Sequence, residues 1–143
     1  MYEIEADGSA LNNQITLASD NYDLYFPSLA TDKQNNLLLS FSISSNENGP
    51  ADLYPSIGYT GRRATDTPNT IDPVVVIIKA GLTSIEQTNP NRWGDYSGTV
   101  VDPTNQENIW MFNQYVIAND QIGTWIAATG YFFYKTYIPM IRK

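Results

Sequence analysis

Leu37-Leu38-Leu39-Ser40-Phe41-Ser42-Ile43-Ser44-Ser45 alternates at period two, with Leu37, Leu39, Phe41 and Ile43 on one side and Leu38, Ser40, Ser42 and Ser44 on the other. A β-strand turns successive side chains to opposite faces, so one face of this segment is apolar and the other mostly hydroxyl. Upstream, residues 27–31 read as a partner strand. The connecting Asp32-Lys33-Gln34-Asn35-Asn36 suits a hairpin turn, because Asn and Asp tolerate left-handed backbone angles. Downstream, a loop over residues 46–52 leads to a strand at 54–60, and a loop around Arg62, Arg63, Asp66 and Pro68 leads to a fourth at 74–79. Prolines 27, 50, 55, 68, 73, 90 and 103 interrupt the chain too often for long helices. The expected fold class is all-β, built from antiparallel four-stranded meanders.

The same programme restarts further along. Residues 96–102 stand about 70 positions after residues 26–32, and each segment ends in Asp before an Asn/Gln-rich turn. Residues 109–117 take the place of 37–45, and residues 125–133 that of 54–62. Residues 137–141 then form a shortened fourth strand, and Gln14-Ile15-Thr16-Leu17 reads as the last strand of a preceding unit. Repeated four-stranded meanders are the unit of a β-propeller, whose blades pack face to face. Burial on both faces would account for apolar runs without alternation at residues 74–78 and 109–112. A β-sandwich is the other architecture these short strands allow. The propeller reading divides the chain into 1–24 (the last strand of a preceding blade, and a linker), 25–82 (blade one) and 83–143 (blade two with a C-terminal strand and tail). About two blades of a partial propeller result, and two blades do not close a ring. The expectation is therefore self-association or missing neighbouring blades.

Composition restricts the chemistry. The 143 residues include neither cysteine nor histidine, which excludes disulfide frameworks, thiol nucleophiles, Cys/His zinc sites and histidine-based triads. A formal net charge of −7 makes nucleic acid an unsuitable partner, because phosphates are repelled. The longest run free of polar residues, 74–78, is far too short to insert in a bilayer. Residues 1–7 carry no basic n-region followed by an apolar stretch, so no signal peptide is encoded in this chain. Ten tyrosines, three tryptophans, abundant Asn, Ser and Thr and few lysines nevertheless suit an extracellular β protein, and Met1 is read as an internal or truncated start.

Asn91-Arg92-Trp93-Gly94-Asp95-Tyr96-Ser97, continuing through Val101-Asp102-Pro103 to Ile109-Trp110 and Gln114-Tyr115, resembles the repeated signature of large secreted bacterial proteins with sialidase-like β-propeller repeats. Segments such as Leu24-Tyr25-Phe26-Pro27-Ser28 and Tyr54-Pro55-Ser56-Ile57-Gly58-Tyr59-Thr60-Gly61-Arg62 accompany it in those proteins and occur here. The resemblance covers roughly residues 20–135. It implies a sialidase-like propeller and an extracellular or cell-surface location in the parent protein. Gln114 departs from the common Glu, a cysteine often found after the Asp-Pro turn is absent, and the Ser-x-Asp-x-Gly-x-Thr-Trp box of true sialidases does not occur.

The candidate ligand-binding residues are Arg62, Arg92, Trp93, Asp95 and Tyr96. Around Gly94, Trp93 would offer a stacking platform for a sugar ring, with Arg92 and Asp95 supplying directed hydrogen bonds. The same block reads as an internal brace, with Asp95 accepting hydrogen bonds and Trp93 packed between blades, and its recurrence across blades of the resembling proteins favours that role. Arg62 and Arg63 follow Gly61 at a strand end, and a buried arginine there needs an acidic partner, for which Asp66 and Asp95 are the candidates. Residues 102–108 offer oxygen ligands to calcium but lack the glycine-containing EF-hand loop, and read more simply as a polar hairpin turn. No catalytic residues, metal site or cofactor are expected. The expected function is a non-catalytic extracellular binding or adhesion scaffold, with a glycan or protein as ligand. The alternative is a fragment of a sialidase-like glycoside hydrolase without a complete active site.

Overall fold

Among the described residues, two antiparallel β-sheets pack face to face. The computed structural model describes residues 1–4, 8–9, 11–49, 53–85, 96–119 and 121–130. Its strands are β1 (Tyr2–Ile4), β2 (Leu11–Gln14), β3 (Tyr22–Thr31), β4 (Leu37–Ser45), β5 (Ser56–Arg62), β6 (Val76–Lys79), β7 (Gly98–Val101), β8 (Asn108–Ala118) and β9 (Gln121–Gly130). They form a β1-β2 ribbon, a four-stranded meander β3-β4-β5-β6 and a three-stranded meander β7-β8-β9. The chain is all-β, with no helix among the described residues.

The first meander follows the expected strand order with shifted ends. β3 begins at Tyr22, ahead of the expected start at Pro27, because a bulge opposes Phe26 and Pro27 to Phe41 alone. Proline has no N–H for a ladder, and a bulge removes that demand. Phe26 takes the left-handed conformation there, with φ 53°. β5 runs Ser56–Arg62 where 54–60 was expected, and β6 is confined to Val76–Lys79. Ahead of them, β2 ends at Gln14, so residues 14–17 do not form the expected strand. Ile15 exchanges two backbone hydrogen bonds with Met1, and the chain then crosses the first sheet.

β4 is buried on both faces. Leu39, Phe41 and Ile43 form one cluster with Leu17, Tyr22, Leu24, Leu53, Ile71, Val75 and Ile77. Gly58 lies beneath it, where a Cβ would press on Phe41, Ile43 and Val75. On the opposite face Leu38 packs with Ile109, Met111 and Ala127 of the second sheet, flanked by Ala30, Tyr59, Ile78 and Trp125. The hydroxyl face of β4 thus forms the junction between the sheets. Ser40 Oγ lies 2.6 Å from Thr99 Oγ1, Thr99 Oγ1 donates to the Ser28 carbonyl at 3.2 Å, and Ser42 Oγ donates to Asn113 Oδ1 at 3.1 Å.

Backbone hydrogen bonds clamp the junction at both ends. Lys33 N–H donates to the Gln106 carbonyl, joining the two hairpin turns, and the Lys33 ammonium pairs with Glu107 at 2.7 Å. At the far end Val116 donates to the Pro55 carbonyl and accepts from Leu82 N–H. Lys79 lies over the Trp125 and Tyr115 rings, 4.5 and 4.9 Å from their centroids.

The restart is visible in strand pairing. Thr31–Leu37–Arg62 in the first meander corresponds to Val101–Ile109–Thr129 in the second. Arg62 therefore matches Thr129 instead of the expected position 133. A loop separates β4 from β5, whereas Ala118 pairs with Gln121 across a short turn, so β9 starts earlier. The fourth strand expected at 137–141 lies outside the described residues.

Two-sided burial of 109–112 is not found. Ile109 and Met111 face the junction, while Phe112 is exposed on the outer side. Val74, expected in a doubly buried strand, precedes β6 and is also exposed. Leu38→Ala should cost about 2–5 kcal/mol, because it opens a cavity touching both sheets. Val100→Ala, on the open face, should change stability by less than about 0.5 kcal/mol. Urea midpoints of the two variants measure the difference, which would vanish if the sheets did not share this core.

Candidate functional site

Of the two candidate site residues among the described residues, Arg62 is buried, at 6% exposure. It ends β5 opposite Leu37, on the face turned away from the second sheet. The following turn is held by Asp66, whose carboxylate accepts Arg63 N–H at 2.7 Å and whose carbonyl accepts Arg62 Nη2 at 3.1 Å. Asp66 is therefore not the ion-pair partner expected for Arg62, because its carboxylate is committed to the backbone of the turn. Arg62 Nε is buried without a partner. Asp95, the other candidate, lies outside the described residues, as do Arg92 and Trp93. Tyr96 is 72% exposed, ahead of β7.

Among the described residues, three cavities lie between the first sheet and the N-terminal crossing segment. One, of about 250 Å³, is lined by Met1, Asn13, Ile15, Leu29, Thr31, Asn35, Leu37 and Arg62. A second, of about 340 Å³, extends along Ile15, Leu17, Leu29, Leu39 and Phe41 to the β3 bulge at Tyr25 and Pro27. The third, of about 260 Å³, lies beyond Leu17, against Ile43 and Ile77. Burial pushes the Tyr25 phenol above its ordinary 10.0, a Ser44 hydrogen bond opposes the shift and nearby Asp23 adds to it. Tyr25 is thus a neutral hydroxyl at the edge of an apolar space.

Turn chemistry fixes the Arg62 end of the molecule. Asp32 Oδ1 accepts Gln34 N–H and Asn36 N–H, Asp32 Oδ2 accepts the Asn36 amide, and Asn36 Oδ1 accepts Ala64 N–H. Asn35 can adopt φ 63° in this turn because asparagine tolerates the left-handed region. Sequence reasoning selected Arg62 from its place after Gly61, but missed Asn13, Thr31 and Asn35. Their spacing along the chain carries no sign that they meet.

Residues 102–108 form the polar hairpin turn that joins β7 to β8. Asp102 Oδ1 accepts Thr104 N–H and Asp102 Oδ2 accepts Trp110 Nε1, while Asn105 Oδ1 accepts Glu107 N–H and Asn108 N–H. These bonds hold the turn through the Asp102 carboxylate and the Asn105 amide oxygen. Among the described residues no group of three or more His, Cys, Asp or Glu side chains is arranged to hold a metal ion. Comparisons of the chain with protein families, with curated proteins and with solved structures find no match.

The Trp110 indole, followed by Thr104, holds the Asp102 carboxyl below its ordinary value of 3.8. A lowered folded value means that the stabilisation is complete above pH 3.8 and disappears as pH falls through that lower value. Trp110→Phe removes the principal donor and should move the Asp102 titration upward. Carbon-detected NMR of the carboxyl group checks this, and an unchanged titration would exclude the indole as the cause.

Proposed function

We propose that the chain forms two consecutive blades of a partial, sialidase-like β-propeller, serving as a non-catalytic extracellular scaffold for binding or adhesion. The observation that carries this reading is the stacking of two meanders with corresponding strand order, the Leu38, Ser40 and Ser42 face of one against the Ile109, Met111, Thr99 and Asn113 face of the next. A propeller repeats that junction from blade to blade. The outer face of the second sheet fits the scheme. Gly98, Phe112 and Ile126 stand side by side across its three strands, and Val100 pairs with Trp110 in the neighbouring row. Val100, Phe112 and Ile126 are all exposed, and the Phe112 ring occupies the space that a Cβ of Gly98 would need. Such a face suits a further blade, from a longer chain or a second copy.

Glycan recognition by Trp93, Arg92, Asp95 and Tyr96 rests on the resemblance of residues 91–97 to the repeat signature. A protein ligand is the other partner that such a scaffold serves. The hydrolase-fragment alternative gains no support from the cavity at Arg62, since among the described residues its lining holds no Asp, Glu or Tyr to act as acid, base or nucleophile.

Two measurements test the proposal. Immobilised glycans should retain the chain, and Trp93→Ala should weaken retention about tenfold or more while leaving the circular dichroism unchanged. Equal retention would remove Trp93 from the site, and turnover of a fluorogenic sialoside would replace the scaffold reading with the hydrolase. In sedimentation velocity the chain should self-associate as its concentration rises, and Phe112→Lys with Ile126→Lys should return it to a monomer. A wild-type monomer at all concentrations would contradict an outer face prepared for another copy.

A further inference from the structure

We propose that the cavity at Arg62 binds a short aliphatic carboxylate. Arginine carries its charge at every accessible pH, and burying a charge without a counter-ion is costly. Arg62 is buried, yet its guanidinium makes a single hydrogen bond among the described residues, from Nη2 to a neutral carbonyl, and Nε has no partner. Among the described residues no carboxylate lines the adjoining cavity. In a chain of net charge −7, the described lining of this recess includes a guanidinium and no acidic side chain.

The remaining lining describes the ligand. Asn13, Thr31 and Asn35 are polar and uncharged, and Ile15, Leu29 and Leu37 are apolar. One guanidinium matches one carboxylate, the pairing for which its planar donor fork is best suited. The apolar residues would pack against a few methylene groups. The Met1 ammonium also borders the cavity but is held by the Ile15 carbonyl at 2.9 Å, and a phosphate dianion would have nothing to set against the aliphatic walls. A volume of about 250 Å³ is at the small end for ligand pockets and limits the bound portion to a few carbon atoms. Leu29 is 47% exposed and lines this cavity and the neighbouring one, so it marks where a ligand enters. The turns around Asp32 and Asp66 fix the arginine end of the recess, so the site exists before a ligand arrives. This site is separate from residues 91–97 and does not depend on the propeller reading.

Sodium butyrate is the probe, with sodium phosphate and sodium chloride at matched ionic strength as controls. Butyrate should raise the unfolding temperature of the wild-type chain saturably, and it should shift the Arg62 Nε–H resonance. Arg62→Gln should weaken binding about tenfold or more, since it removes the charge-assisted pair. Should Arg62→Gln fail to fold, Leu29→Asp places a like charge at the entrance on an exposed side chain. It should weaken butyrate binding by a similar factor with the circular dichroism intact. The proposal is overturned if butyrate acts no differently from chloride, if phosphate binds and butyrate does not, or if either folded variant binds butyrate as the wild type does.

Discussion

The contact of β4 with β7 and β8 governs how the rest of this chain is arranged. Leu38 fills the apolar part of that contact against Ile109, Met111 and Ala127, and Ser40 and Ser42 continue it with hydroxyls that find Thr99 and Asn113. Buried hydroxyls without partners would oppose folding, whereas paired ones permit close approach with little loss. Because these side chains are small, the two backbones come near enough for Thr99 to reach the carbonyl of Ser28 on the neighbouring strand. A row of leucines would have held the sheets further apart.

That close approach explains the clamps. With the sheets drawn together at their middle, the two hairpin turns meet at Lys33 and Gln106, and the loops at Pro55 and Leu82 reach Val116. The Asn/Asp chemistry of the turns therefore acts beyond its own hairpins. Asp32 and Asp102 shape equivalent turns whose backbones then join the two meanders. It also explains an asymmetry of exposure. Of the four faces of the two sheets, the two at the junction cover each other, and one is crossed by Ile15 and Leu17 with cavities beside them. The fourth carries Val100, Phe112 and Ile126 toward solvent.

Much of the fold was legible in the sequence, and what was not has particular causes. Alternation from Leu37 to Ser45 located β4, and the recurrence of Asp before a polar turn located the second meander. The start of β3 was hidden because Pro27 reads as a strand boundary, and only the bulge shows how the ladder passes it. The start of β9 was hidden because its turn is much shorter than the loop before β5, which shifts the match of Arg62 from position 133 to Thr129. The burial of Arg62 could be suspected from its place after Gly61. Its lack of a carboxylate could not, because Asp66 is near enough in sequence to pair and is claimed instead by the N–H of Arg63.

The sequence alone determined that this protein is all-β, that its strands come as antiparallel meanders run twice, and that its chemistry excludes thiols and imidazoles. Periodicity, turn residues and composition are local properties, and each can be read from a short window. Only the tertiary structure decided that the hydroxyl face of β4 is an interior face, and that Arg62 shares a recess with Asn13, Thr31 and Asn35. Those facts depend on which surfaces meet across residues far apart in the chain. Meeting is set by complementary shape and paired polar groups, which no single window of sequence contains.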